Sequence, residues 1–435
     1  MREEVLNKTL KYTSNADAIH QQLILTQSKF ENNKLKYINT KQIEGLGLRI
    51  IKDGRIGFSS TTNLNNLTQL IENAVNSAKF GQEAKFEFPK TQPFPSQIKI
   101  FDKEVENFTV EEGVELGKSL IDKLLAIEPE FFCKELEINK TILKTKITNT
   151  AGLEFVYPKT IFTVYVTGLL VRNNSLLWLT EYLSGCELNK DIDSIVNKIN
   201  ESLHWSKNEL SAKTKKLPAI FTPRLIPTIL NTVELGVNGK LVQKGASPLT
   251  GRLGLKIFDE QVTIYDDATV DFGLNSSPVD GEGIATRKIP LIENGILKNY
   301  IFDLQTAGFL NTNTTGNGYR DFDSLPAPHC SNLIVLPGNM DFYEMIKDMK
   351  EGIIIDLVLG GGQSNVLAGD FAFNVELGFK VENGQVVGRL KDTMVACNIF
   401  DIFNRIKAIG LKSYSWGAVK SPHFYIDEIS VVGNG

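Results

Sequence analysis

Three dipeptides, Asp53-Gly54, Asn294-Gly295 and Asn383-Gly384, each stand between apolar runs. Asp-Gly and Asn-Gly tolerate the positive φ angles of a two-residue hairpin turn, so each predicts two antiparallel strands joined back to back. One signal lies near the N-terminus and two lie far downstream, which places β-structure in more than one part of the chain. At 435 residues, two or three domains are expected, each large enough to bury a substantial core.

Apolar spacing supplies the remaining elements. EEVLNKTLKYT reads as a helix, and DAIHQQLILTQSKFEN and QIEGLGLRII read as extended. LNNLTQLIENAVNSAKFG returns to a 3.6-residue period, with Asn63 as expected N-cap and Gly81 as expected stop. Residues 1–88 therefore form an α+β unit, and FEFPKTQPFPSQ, with three prolines in twelve residues, reads as a linker. A second α+β unit spans 98–212, with the helix VEEGVELGKSLIDKLLAI, long strands in CKELEINKTILKTKITNT and LEFVYPKTIFTVYVTGLLV, and the closing helix DIDSIVNKINESLHWSKNEL. The Lys-rich SAKTKKLPAI marks a boundary, with Lys213, Lys215 and Lys216 expected to solvate a linker. From 217 to 435, short β segments punctuated by glycine predict a β-rich C-terminal domain, with helices near 224–235 and 340–350. The expected class is α+β, with helices on mixed or antiparallel sheets in the N-terminal units.

Composition narrows the function classes. A hydrophobic share of 42% and a charged share of 23% suit a globular protein and argue against disordered or fibrous classes. The net charge of −4, without a long basic run, argues against nucleic acid as the main partner. MREEVLNKTLKY has no apolar core after its charges, and the apolar run IFTVYVTGLLV ends at Arg172, so neither a signal peptide nor a membrane span is expected. Cys133, Cys186, Cys330 and Cys397 lie far apart with no CxxC pair, which suits buried thiols in a reducing compartment, and cytoplasm is the expected location.

Several groups could carry chemistry. Gly360-Gly361-Gly362 follows IIIDLVL but lacks any GK[ST] or GxGxxG continuation, so a tight strand connection is favoured over a phosphate loop. His329 and Cys330 are good zinc ligands, yet neighbours on an extended chain point to opposite faces, and strand-end packing is expected. Asp280 and Glu282 flank a glycine, in a turn that either holds two carboxylates for acid/base work or is turn chemistry alone. TTGNGYRDFD, with Gly316 and Asn317, is a polar glycine-rich loop whose backbone could take a peptide or an anion. In IPTILNTVELGVNGKLV, Leu230 and Leu235 read as core residues of a helix with no His or Cys.

Five words in order along the chain, GLGLRIIKDGRIGFSS, NGKLVQKGASPLTGRLG, DGEGIATRKIPLIENGILKNYIFD, TTGNGYR and PHFYIDEISVVG, resemble the TldD/PmbA family, and its PmbA (TldE) branch in particular. The resemblance implies α+β N-terminal units before a β-rich C-terminal domain. It further implies that the TldD branch is a zinc peptidase with HExxxH on a helix and a distant Cys ligand. KGASPLTGRLG sets the register, which puts Leu230 and Leu235 at the two His positions and Asn231 at the Glu position; no Cys follows Cys397. The implied role is a non-catalytic subunit, without a cofactor of its own, that pairs with a zinc-bearing TldD-like subunit or with a second copy of itself. Peptides or unfolded segments are the implied substrates. Asp280, Glu282, Gly283, Gly316, Asn317, the Gly360-Gly361-Gly362 triplet and Asp370 are the residues expected to bind peptide or to serve structure, and the strand edge 359–373 is expected to hold an extended peptide. Two other readings stay open: a self-associating peptide-binding or regulatory protein, and a hydrolase using Asp280, Glu282 or Asp370.

Overall fold

The computed structural model describes residues 2–91, 97–172, 175–360 and 364–434. The N-terminal region is built on one antiparallel sheet formed by β1 (Asn15–Glu31), β2 (Lys34–Lys52), β3 (Arg55–Thr61), β4 (Phe132–Asn149), β5 (Glu154–Arg172) and β6 (Ser175–Gly185). The strand order is β3-β2-β1-β4-β5-β6. Strands on both sides of the proline-rich stretch enter this sheet, because β1 pairs with β4 from Asp17↔Asn149 to Glu31↔Glu135.

Among the described residues, five helices accompany it: α1 (Arg2–Thr9), α2 (Leu67–Ala78), α3 (Lys103–Asn107), α4 (Val110–Ile127) and α5 (Ile192–Trp205). The cap of α2 is Asn66, whose side chain accepts from the Gln69 amide, and not Asn63. Asn63 instead accepts from the Asn65 amide at 3.2 Å in the preceding turn. The shift follows from geometry, since a cap must stand next to the first helical residue and reach the amide three residues on. The buried face of α2, Leu70, Ile71 and Ala74, packs on Leu46, Leu48 and Ile50 of β2. On the other half of the sheet, Leu120 and Leu124 of α4 and Ile195 and Ile199 of α5 share a core with Leu136, Val164 and Leu179. A Thr109/Glu112 capping box starts α4.

Among the described residues, the C-terminal region contains fourteen strands: β7 (Glu209–Ser211), β8 (Lys213–Phe221), β9 (Ile264–Asp267), β10 (Lys288–Glu293), β11 (Ile296–Leu297), β12 (Gly318–Tyr319), β13 (Ala327–Pro328), β14 (Leu333–Val335), β15 (Glu351–Leu359), β16 (Asp370–Glu382), β17 (Gln385–Lys391), β18 (Thr393–Asn398), β19 (Ile406–Trp416) and β20 (Val419–Asn434). Between them lie α6 (Ile226–Val237), α7 (Gly239–Gln243), α8 (Leu304–Phe309), α9 (Phe342–Asp348) and α10 (Ile399–Ile402). Pairing runs from β20 to β8, β15, β16, β18 and back to β20, which closes a ring of five strands. Ile229, Leu230 and Val233 of α6 share a core with Phe371, Phe373, Val395 and Val431 of that ring. The class is α+β, as expected.

The three hairpin signals are turns with both residues at positive φ: Asp53 51° and Gly54 73°, Asn294 48° and Gly295 74°, Asn383 49° and Gly384 76°. The basic segment is not a linker. Lys213, Lys215 and Lys216 lie on β8, an interior strand between β20 and β15. Lys215 Nζ meets Glu351 at 2.6 Å and Lys216 Nζ meets Glu428 at 2.8 Å, so the charges stand outside while Leu217, Ala219 and Phe221 fill the core. All four cysteines are free. Among the described residues, no helix is long and apolar enough to cross a membrane.

Candidate functional site at the domain junction

Helix α6 carries Leu230 fully buried, Asn231 exposed and Leu235 half-buried. At about 100° per residue, positions 230 and 235 point about 140° apart, so the two leucines share no open face. Asn231 opens with Thr228 and Glu234 onto a hollow of about 410 Å³ that also borders Gly360, Ser364 and Phe373. Leu230 is thus the core residue the pattern predicts, and Leu235 is only half one. Among the described residues, no group of three or more His, Cys, Asp and Glu could hold a metal ion.

Three of the five words that carry the resemblance meet where the sheet of β1 and β2 abuts the C-terminal domain. Arg49 on β2 grips Asp17 on β1 bidentately, Nε to Oδ1 at 3.0 Å and Nη2 to Oδ2 at 2.8 Å. Its remaining Nη1 donates to Glu282 Oε1 at 2.7 Å. Arg320 reaches the same Asp17 with Nη2 at 2.7 Å and donates Nε to the Gly281 carbonyl at 2.6 Å. The second Glu282 oxygen accepts from the Leu304 amide at 2.7 Å, at the start of α8. Phe86 and Phe88, from the proline-rich stretch, lie 4.7 Å and 5.2 Å from the Arg49 guanidinium and cover it; residues 92–96 of that stretch are outside the described residues.

The local sequence makes this approach possible. A Cβ on Gly47 would stand 2.2 Å from the Phe322 carbonyl oxygen, and one on Gly318 would stand 2.6 Å from Glu282 Oε2. Asp280 serves the turn itself, accepting from the amides of Glu282, Ile284 and Gly318, each at 2.9 Å. Burial pushes both Asp280 and Glu282 upward, against backbone donors in the first and Arg49 in the second. Burial also pushes Asp17 upward, but Arg320 and Arg49 outweigh it and hold that carboxyl below its usual range. The two turn carboxylates are thus engaged by fixed donors, the arrangement that turn and clamp chemistry requires. Asp17, Arg49 and Arg320 were not legible as partners in the sequence; the only signal was that GLGLRI and TTGNGYR each place an arginine beside glycines.

Beside this cluster lies a cavity of about 360 Å³ between the sheet and the C-terminal loops, bordered by Tyr157, Lys159, Asp280, Asn317, Arg320 and His329. Lys159 is buried, donates to the Ser276 carbonyl at 2.9 Å, and is pushed down by burial. Asn317 is buried, and its Nδ2 donates to the His329 carbonyl at 3.1 Å. Its Oδ1 has no hydrogen-bond partner among the described residues. His329 is exposed and Cys330 buried, as alternation on an extended chain predicts. Gly316 borders the cavity with φ 78°, and Gly283, at φ 80°, packs against Leu153 instead.

The remaining candidates stand apart from the junction. Gly360 has φ 89° at the end of β15, and Gly361 and Gly362 lie outside the described residues. Asp370 begins β16 and accepts from Asn398 Nδ2 at 2.8 Å. Residues 370–374 do not offer a free edge on this side, because they pair with β18 from Asp370↔Asn398 to Asn374↔Met394.

The PmbA/TldA metallopeptidase C-terminal domain matches residues 214–433, and the PmbA/TldA metallopeptidase domain 1 matches residues 16–78. An uncharacterized protein of Methanocaldococcus jannaschii is 29% identical over 364 residues, 82% of each chain. A metalloprotease PmbA homolog of Buchnera aphidicola is 21% identical over 449 residues, covering 99% of this chain and 96% of that one. The crystal structure of TldE from Thermococcus kodakarensis has the same fold, with a TM-score of 0.93 at 22% identity over 99% of both chains. With both domain matches in their family order, the chain belongs to the PmbA/TldD metallopeptidase family.

Proposed function

We propose that this chain is the non-catalytic subunit of a cytoplasmic, heteromeric metallopeptidase whose zinc is carried by a TldD-like partner and whose substrates are peptides or unfolded segments. One observation carries the reading: Leu230, which the register set by KGASPLTGRLG puts at the first His position of HExxxH with Asn231 and Leu235 at the other two, is buried in the C-terminal core. An imidazole at position 230 would have to enter that core, where an unpaired polar ring costs on the order of 2 kcal/mol or more. Asp280, Gly316 and Asn317 border the junction cavity and support that place as the one where a bound peptide's polar groups are received.

Co-expression with an HExxxH-bearing family member from the same source is expected to yield a complex that cleaves unfolded peptides and loses activity to chelator, while this chain alone is inactive and holds no stoichiometric zinc. Separate migration at micromolar concentration, with a partner equally active alone, would sink the proposal and favour a self-associating peptide-binding protein. The triple variant Leu230→His, Asn231→Glu, Leu235→His is expected to gain no efficient peptidase activity, because the third ligand and the groups that orient the imidazoles are not restored with it.

A further inference from the structure

A second cavity, sharing no lining residue with the junction, lies between α5, the start of α9 and the strands β6, β15 and β19, with a volume of about 220 Å³. Its floor is charged. Arg224 Nη1 donates to Glu181 Oε1 at 2.9 Å and to Asp356 Oδ2 at 2.7 Å, and Nη2 donates to the Thr180 carbonyl. Asp356 Oδ1 accepts from Thr222 Oγ1 at 2.7 Å. Glu181 is only 2% exposed, yet its Oε2 has no hydrogen-bond partner among the described residues. Lys198 Nζ stands 3.7 Å from that oxygen, beyond hydrogen-bond length, on a side chain that is 41% exposed.

Two buried carboxylates therefore share one partly buried guanidinium. Burial pushes Glu181 upward against the pull of Arg224 and Lys198, the direction expected of a carboxylate whose charge is under-compensated. His423 adds no positive charge near neutrality, because burial pushes it down to about 4. The walls are aromatic and brace one another. Trp205 packs edge-on against Phe379 at 5.1 Å, Phe342 stacks on His423 at 4.2 Å, and Trp416 carries Arg224 on one face at 4.9 Å. Aromatic walls around an anionic floor are attractive to a cation on an apolar stem and unfavourable to an anion.

We propose that this cavity binds a small organic cation, an ammonium or guanidinium on an apolar stem, with its head at Glu181 and its stem along Trp205. Lys198 covers the carboxylate from the rim and swings away when the ligand enters. The basic side chain of a peptide and a free alkylamine share this chemistry. The assignment stands independently of the proposed subunit role.

The test uses the intact chain. Trp205 and Trp416 are two of its three tryptophans, so intrinsic fluorescence reports occupancy, and calorimetry gives the affinity. The probes are N-acetyl-lysine amide, N-acetyl-arginine amide and n-butylamine, with N-acetyl-norleucine amide as the neutral control. Saturable binding of at least one cation, about tenfold or more tighter than norleucine, is expected from a charge-assisted contact. Glu181→Gln should remove that margin, and Lys198→Ala should tighten binding severalfold. Ser202→Phe, which narrows the cavity and leaves its charged residues unmutated, should abolish binding and serves if the Gln variant does not fold. Tighter binding of the amides than of butylamine supports a peptide ligand, and the reverse supports a free amine. Equal binding of norleucine, an unchanged Glu181→Gln or Ser202→Phe variant, or no saturation by any cation up to about 10 mM, a free energy near 3 kcal/mol, would overturn the assignment.

Discussion

The junction cluster and the α5–α9 cavity bury the same kinds of charge in different proportions. At the junction, Asp17, Asp280 and Glu282 lie with Arg49 and Arg320, and backbone amides supply the balance, one to the second Glu282 oxygen and others to both Asp280 oxygens. In the cavity, Glu181 and Asp356 share Arg224, and one Glu181 oxygen takes no hydrogen bond from the described residues. Desolvating a carboxylate is offset only where fixed donors match its oxygens. The first arrangement can therefore hold two domains together, and the second is suited to receiving charge from outside.

The largest break in this comparison comes from the junction. Arg49→Met leaves Asp17 and Glu282 short of their shared partner and is expected to cost about 3–5 kcal/mol in urea denaturation. A loss below about 1 kcal/mol would show that the cluster does not clamp the domains.

Acidification should separate the two regions next. His423, in the cavity wall, has its protonation depressed to about 4 in the folded state, whereas the unfolded imidazole titrates near 6.5. Between those values the unfolded state binds the extra proton, so stability falls with falling pH, by about 3 kcal/mol over the window. The raised carboxyls of Asp280 and Glu282 act in the opposite sense. Their contribution is full below the ordinary carboxylate range and is lost as pH rises through the raised values. Stability–pH curves of the native chain and His423→Phe should therefore diverge below pH 6.5, and parallel curves would remove His423 as the cause.

A smaller effect tests how tightly the junction is built. A Cβ at Gly318 would press to 2.6 Å on a Glu282 oxygen that Leu304 holds in place. Gly318→Ala is expected to cost about 2 kcal/mol, visible as a lower melting temperature. The smallest effect belongs to the cavity. Glu181→Gln keeps the shape and removes an under-compensated charge, so it should change stability by less than about 1 kcal/mol in either direction. A loss as large as that of Arg49→Met would mean that the two regions are equally clamped.

Much of this molecule follows from residues near one another in the chain. The three hairpins turn where Asp-Gly and Asn-Gly permit positive φ, α4 begins at its Thr109/Glu112 box, and α6 buries Ile226, Ile229, Leu230 and Val233 because its apolar residues recur at helical spacing. These are local matters of dihedral angle, reach and side-chain identity. Even at short range, competing caps three residues apart left Asn66 unrecognised behind Asn63, and four exposed residues at 213–216 hid the inner strand that they begin. Only the folded chain decided the rest. Arg49 meets Glu282 across 233 residues of sequence and Arg320 meets Asp17 across 303, and the closed ring depends on β16 and β20 each changing partners along their length. No spacing in the sequence encodes such pairs, because a buried charge is satisfied by whatever the packing of whole sheets brings within hydrogen-bond reach.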